Sequence, residues 1–225
     1  MKLLALDTAT EACSAAVLIG AEVVAHRFEQ APRRHAELIL PQCEAVLTEA
    51  GLTPSDLDAV AFGRGPGSFT GLRIATSVVQ GIAFAAGLPV LPVSTLAAMA
   101  HATARRHGIE QVAAALDARM EEVYWGGYRV SPDGDVTLLI PECVCPPDAV
   151  PAPPAGTWYG AGGGWARYGA ILEARFPVAA VWSDCLPDAA DIALLGRMAW
   201  QRGEALPAEQ ALPVYLRDRV TRVHD

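Results

Sequence analysis

The chain has 225 residues, 52% apolar and 19% charged, which excludes a disordered segment and leaves room for one large or two small cores. Its net charge of −8 argues against a protein that grips nucleic acid unaided, since such proteins show a basic face. The cysteine count is odd (Cys13, Cys43, Cys143, Cys145, Cys185), and the N-terminus meets Asp7 too early for a signal peptide. Free thiols and a cytoplasmic location are expected, and no apolar run reaches membrane-spanning length without interruption.

Residues 2–7 predict a buried strand ending at Asp7. Residues 12–19 and 22–28, separated by the turn Gly20-Ala21-Glu22, add two more strands and make an antiparallel meander. Ala36, Ile39, Leu40, Cys43, Val46, Leu47 and Ala50 then recur at helical spacing up to Gly51. Pro41 inside this pattern predicts a kink, or a helix that begins near it. Thr53-Pro54-Ser55-Asp56 predicts another helix start. A strand over 59–62, the loop Gly63-Arg64-Gly65-Pro66-Gly67-Ser68-Phe69-Thr70-Gly71, a helix over 72–86 and a strand over 89–93 follow. Three antiparallel strands followed by alternating helices and strands predict a mixed sheet with helices packed on it.

The pattern then restarts. Ala115-Leu116-Asp117-Ala118-Arg119-Met120-Glu121 resembles Ala5-Leu6-Asp7-Thr8-Ala9-Thr10-Glu11, and strands over 122–129 and 135–140 complete a second meander, which suggests duplication. Pro146, Pro147, Pro151, Pro153 and Pro154 then interrupt it as an extended linker. Gly160 to Gly164 follow, then helical patterns near 165–175 and 189–200, and a docking segment Pro213–Asp218.

The glycine loop admits two readings, a phosphate cradle ahead of a helix or a device for close packing; together with the apolar helix that follows, packing is the better reading. The helix itself is apolar around most of its circumference, and Gly81 in its interior suits a close backbone approach. Cys143 and Cys145 would need two more ligands to hold a metal, and prolines follow instead. His101 and His107 read as surface residues on different faces of a helix, and Arg33-Arg34-His35, Arg105-Arg106-His107 and Arg217–Arg222 as solvated basic faces. No Ser/His/Asp or Cys/His constellation stands at suggestive spacing.

Two meander-plus-helix halves, each with an Asp ending its first strand, resemble the actin–hexokinase–Hsp70 (ASKHA) superfamily. That likeness implies an α/β chain of two tandem RNase H-like domains, residues 1–108 and 109–225. Each would be a mixed sheet with an antiparallel three-strand meander flanked by helices, the second domain degraded, with a terminal helix returning to the first. In that superfamily Asp7, Thr8, Thr10, Asp117, Gly160 and Gly162 would be the candidate nucleotide contacts, although Ala9 and Ala118-Arg119 stand where a phosphate loop has glycine. No cofactor is expected beyond an ATP or ADP that such a cleft takes.

Asp7-Thr8-Ala9-Thr10, Gly65-Pro66-Gly67-Ser68-Phe69-Thr70-Gly71-Leu72-Arg73, Leu116–Tyr124 and Pro213–Arg217 together narrow the likeness. Over nearly the whole chain it resembles the bacterial TsaB family of tRNA threonylcarbamoyladenosine biosynthesis proteins, glycoprotease-like relatives of TsaD. TsaD-like proteins carry a metal-binding H-x-x-x-H where this chain has Thr95 and Met99, so no metal and no catalytic residue is expected. The resemblance implies a non-catalytic adaptor that binds and stabilises a TsaD-like catalytic subunit. A TsaE-like ATPase would join them, tRNA would be contacted only within the complex, and the chain alone would form a homodimer. The implied interface is Ile39, Leu40, Cys43, Leu47, Phe69, Leu72, Arg73, Ile74, Val78, Val79 and Ile82. An independent ATP-dependent phosphotransferase of the same superfamily is the alternative.

Overall fold

The computed structural model describes residues 1–217. Ten strands form two five-stranded sheets: β1 (Lys2–Asp7), β2 (Ala12–Ile19), β3 (Glu22–Gln30), β4 (Ala59–Gly65) and β5 (Val90–Ser94) in one, and β6 (Gln111–Arg119), β7 (Glu122–Val130), β8 (Val136–Cys145), β9 (Tyr159–Ala161) and β10 (Val181–Trp182) in the other. The helices are α1 (His35–Glu49), α2 (Phe69–Ala86), α3 (Thr95–His107), α4 (Gly163–Arg175) and α5 (Ala189–Gln201).

The strand order is β3-β2-β1-β4-β5 in the first sheet and β8-β7-β6-β9-β10, read in the same sense, in the second. In both, the first three strands are antiparallel and the fourth runs parallel to the first. This is the duplicated RNase H-like arrangement, and it is degraded in its second copy: β10 has two residues, and a single 3-10 turn (Pro147–Ala149) with the proline-rich stretch replaces the counterpart of α1.

The helices after the fifth strands of the two halves pack across. Leu96, Met99, Ala100 and Ala104 of α3 join the core under the second sheet with Val112, Ala114 and Tyr128. Ala189, Ile192, Ala193 and Leu195 of α5 cover Leu3, Ala5, Ala16, Ala61 and Leu91 of the first sheet. Gly196 lets α5 lie flat, since a Cβ there would stand 2.8 Å from the Ala61 Cβ. Asp188 caps α5 and takes His26 at 2.7 Å, and the Ala189 N–H donates to the Ser14 hydroxyl. Where the crossing helices meet, His101 Nδ1 and Asp191 Oδ1 lie 2.7 Å apart and Arg105 reaches the same carboxylate.

Several boundaries differ from the sequence reading. Helix α1 starts at His35, well before Pro41, and runs through it. Pro41 and Glu37 are both exposed, so the carbonyl that the proline leaves without a donor faces water. Thr53–Asp56 makes only one 3-10 turn closed by a capping box, and β8 extends through Cys145. His101 is buried against Asp191 rather than on the surface; His107 is exposed and stacks on Trp182. His35 is likewise buried, unlike its basic neighbours. Helix α2 is long and apolar enough to cross a membrane by length and composition alone, although Arg73, Thr76, Ser77 and Gln80 interrupt its apolar run. Its Leu72, Ala75, Val79 and Ala83 stripe is nevertheless buried, and Ala75, Val79 and Ala83 sit in the core beneath the first sheet. Residue 218 and the rest of the basic tail lie outside the described residues.

The buried pair between the crossing helices ties the halves together. Asp191→Ala is expected to lower stability by about 3 kcal/mol, because it strips His101 and Arg105 of a buried partner. Chemical unfolding followed by Trp fluorescence measures it, and a change within error would mean that the helices are held by apolar packing alone.

Candidate functional site: a closed loop and an open helix face

The glycine loop leaves β4 and lies on the turn that follows β1. A Cβ on Gly63 would stand 1.7 Å from Asp7 Oδ2, one on Gly67 2.4 Å from the Ala9 carbonyl oxygen, and one on Gly71 1.9 Å from the Thr8 carbonyl oxygen. Only glycine permits these contacts, whatever the backbone angles. Hydrogen bonds close the joint: the Ser68 N–H donates to the Ala9 carbonyl at 2.7 Å, and the Thr8 hydroxyl donates to the Gly71 carbonyl at 2.7 Å. Ser68 then caps α2, its hydroxyl accepting from the Gly71 N–H.

Asp7 is fully buried by this joint. Its Oδ1 accepts from the Ala9 N–H at 2.9 Å, and its Oδ2 has no partner among the described residues. Burial raises its pKa from 3.8 to about 7, and the Asp188 carboxylate adds to the rise against the backbone hydrogen bond. Thr10 turns inward to its own loop, accepting from the Ala12 N–H.

The second turn is closed too. Arg119, Met120 and Glu121 all have positive φ (62°, 53° and 63°), and Met120-Glu121 form a two-residue hairpin between β6 and β7. Asp117 is held by Arg119 and Arg167, each at 3.1 Å. Gly160 lies against the Trp165 ring, and Gly162 (φ 98°) against Met99 and the Ala115 carbonyl, in a plain strand-to-helix turn. The candidate nucleotide contacts therefore do not fit a phosphate: chain backbone fills the first loop, an ion pair the second, and side chains the glycine turn. Thr95 and Met99, one helical turn apart, are both buried, and among the described residues no three His, Cys, Asp or Glu side chains are grouped to hold a metal ion.

What the loop opens outward is a helix face. Ile39, Cys43, Leu47, Leu72 and Val79 are core residues, so these five of the expected interface residues cannot meet a partner; helical periodicity marked their stripe without telling inward from outward. Leu40 (53% exposed), Phe69 (51%) and the neighbouring Phe84 (73%), which the sequence reading left out, stand in solvent. Ile74, Val78 and Ile82 are half-buried beside them, and nothing lies within 4 Å of where a Gly81 Cβ would be. Between α1 and α2, Ala36, Phe69, Thr70, Arg73, Ile74 and Val78 line a groove. The segment 211–217 borders it: the Tyr215 ring packs on Phe69 with centroids 5.3 Å apart, and the Arg73 guanidinium lies 3.9 Å over the Phe69 ring. This strap continues from the Gln80 side chain (donating to the Ala211 carbonyl), past Arg64 (whose carbonyl accepts from Val214), to an ion pair of Arg217 with Glu122 on the second sheet.

Two outcomes follow. Gly71→Ala is expected to cost about 3 kcal/mol, since no flexible side chain can yield to its Cβ, and a urea midpoint unchanged from the wild type would contradict the joint. Between pH 3.8 and about 7 the folded chain holds a proton on Asp7 that the unfolded chain has released. Asp7's contribution to stability is thus complete below pH 3.8 and is lost as the pH rises to about 7. Asp7→Asn is expected to remove that part of the slope and gain on the wild type by up to about 4 kcal/mol between acid and neutral pH; a difference that does not vary with pH would show Asp7 ionised in the fold.

Residues 22–162 match the sequence model of the TsaD family, described as tRNA N6-adenosine threonylcarbamoyltransferase. The tRNA threonylcarbamoyladenosine biosynthesis protein TsaB of Escherichia coli (strain K12) is 40% identical over 223 residues, covering 98% of this chain and 96% of that one. The TsaB protein of Haemophilus influenzae is 40% identical over 229 residues, covering 98% and 95%. The solved structure of YeaZ from Pseudomonas aeruginosa is 50% identical with a TM-score of 0.90, covering 96% of this chain and 99% of that one. The chain belongs to the TsaB family of tRNA threonylcarbamoyladenosine biosynthesis proteins.

Proposed function

We propose that the chain is a non-catalytic, cytoplasmic adaptor in tRNA threonylcarbamoyladenosine formation. It binds and stabilises a TsaD-like transferase through the outer face of α2 and the adjoining surface of α1. The observation that carries this reading is the uncovered apolar face of α2 above a loop whose own phosphate position is filled. An 18-residue helix that buries one stripe on its sheet, leaves Phe69 and Phe84 exposed and keeps Ile74, Val78 and Ile82 only half-buried at the core's margin has the character of a docking surface. Gly81, open outward, lets a partner backbone come close. The same face forms a homodimer when the transferase is absent. A TsaE-like ATPase joins the assembly, and tRNA is contacted only within it, in keeping with the net charge of −8.

A phosphotransferase needs an ionised, accessible Asp7 and an open first loop; the burial of Asp7 under Gly63 counts against it. Omitting the chain from tRNA modification reconstituted with TsaD-like and TsaE-like subunits is expected to abolish threonylcarbamoyladenosine formation. Val78→Asp is expected to weaken binding to the transferase subunit at least about a hundredfold, because it buries an unpaired charge at the centre of the interface. Calorimetric titration measures it, and wild-type affinity would remove α2 from the interface.

A further inference from the structure

The five thiols are unequal. Cys13, Cys43 and Cys185 are buried, and burial pushes Cys13 and Cys43 up to about 12, which makes them inert. Cys143 and Cys145 are only half-buried, on the same side of β8, an edge strand with one side unpaired. Their sulfurs lie 3.8 Å apart. They stand opposite Trp125 and Val123 on β7.

We propose that Cys143 and Cys145 form a reactive dithiol site that takes a low-molecular-weight disulfide such as glutathione disulfide and closes to a Cys143–Cys145 disulfide. Cys143 is the attacking sulfur. Across that sulfur–sulfur contact the Cys145 S–H donates to Cys143; this bond first, then burial, with Glu122 and Asp148 adding least, holds Cys145 protonated, and the same bond stabilises a thiolate at Cys143, below the usual thiol range. The Cys143 thiolate attacks one sulfur of the small disulfide; that S–S bond breaks, a mixed disulfide forms, and one glutathione leaves as thiolate and takes up a proton. Cys145, losing its proton to solvent, then attacks the Cys143 sulfur and expels the second glutathione. The two cysteines lose two electrons and two protons, and the small disulfide is reduced to two thiols. A low-pKa cysteine beside a resolving one is the arrangement that thiol oxidation selects. Strand spacing holds residues two apart near the upper limit of the Cα separation a disulfide spans, so closure puckers the end of β8 beside Trp125.

The full-length chain is incubated with glutathione disulfide without oxygen and followed by intact mass and peptide mapping. The wild type is expected to lose two hydrogens, with the bond mapped to Cys143–Cys145. Cys145→Ser is expected to stop at one glutathionyl group on Cys143, and Cys143→Ser to react at Cys145 at least about tenfold more slowly. Cys13, Cys43 and Cys185 staying unmodified in each variant reports an intact fold. A wild type that keeps all its thiols, an unresolved adduct that accumulates on it, or a Cys143→Ser chain that reacts as fast as the wild type each overturns the proposal.

Discussion

The structure depends on one close contact, the backbone of the glycine loop lying on the Asp7–Ala9 turn. Three positions, Gly63, Gly67 and Gly71, meet that turn at distances no side chain tolerates. The contact shuts Asp7 away from water and favours its neutral form. It also fixes the start of α2, because the residue that bonds Ala9, Ser68, is the residue that caps the helix. Closing the site and presenting the helix face are therefore one structural event.

The rest of the fold holds this event in place. Helices α3 and α5 cross to the opposite sheets, and their meeting point is fastened by His101, Arg105 and Asp191. The strap 211–217 links α2, the glycine loop and the β6–β7 hairpin in turn. In each half the turn after the first strand is thus closed by contacts with the rest of the chain.

Much of the first half was legible in the sequence because its signals are local. The three opening strands are short apolar runs broken by glycine or polar turns, and α2 is an apolar run between glycines. The loop's packing role could be read from the lack of ligands around it and from the helix it launches. Other features were hidden because they are tertiary. Nothing near Asp7 in sequence announces that Gly63 will cover it. His101 sits beside Arg105 and Arg106 and reads as surface until Asp191, far along the chain, comes to meet it. The periodicity of α1 and α2 marks apolar stripes but not which side faces in, so Ile39, Cys43, Leu47, Leu72 and Val79 of the expected interface lie in the core while Phe84 was passed over. The connection before Glu122 was legible as the turn of a second meander, but not its positive φ at Arg119, Met120 and Glu121, because such turns normally carry Asn or Gly.

The account's central claim is that this chain acts by docking and not through chemistry at Asp7. The measurement that tests it most directly is the rate of threonylcarbamoyladenosine formation on tRNA by the reconstituted assembly containing Asp7→Asn in place of the wild-type chain. That rate is expected to match the wild type. A loss of modification while Asp7→Asn still binds the transferase subunit with wild-type affinity would contradict the account, since it would place an ionised Asp7 in the reaction itself.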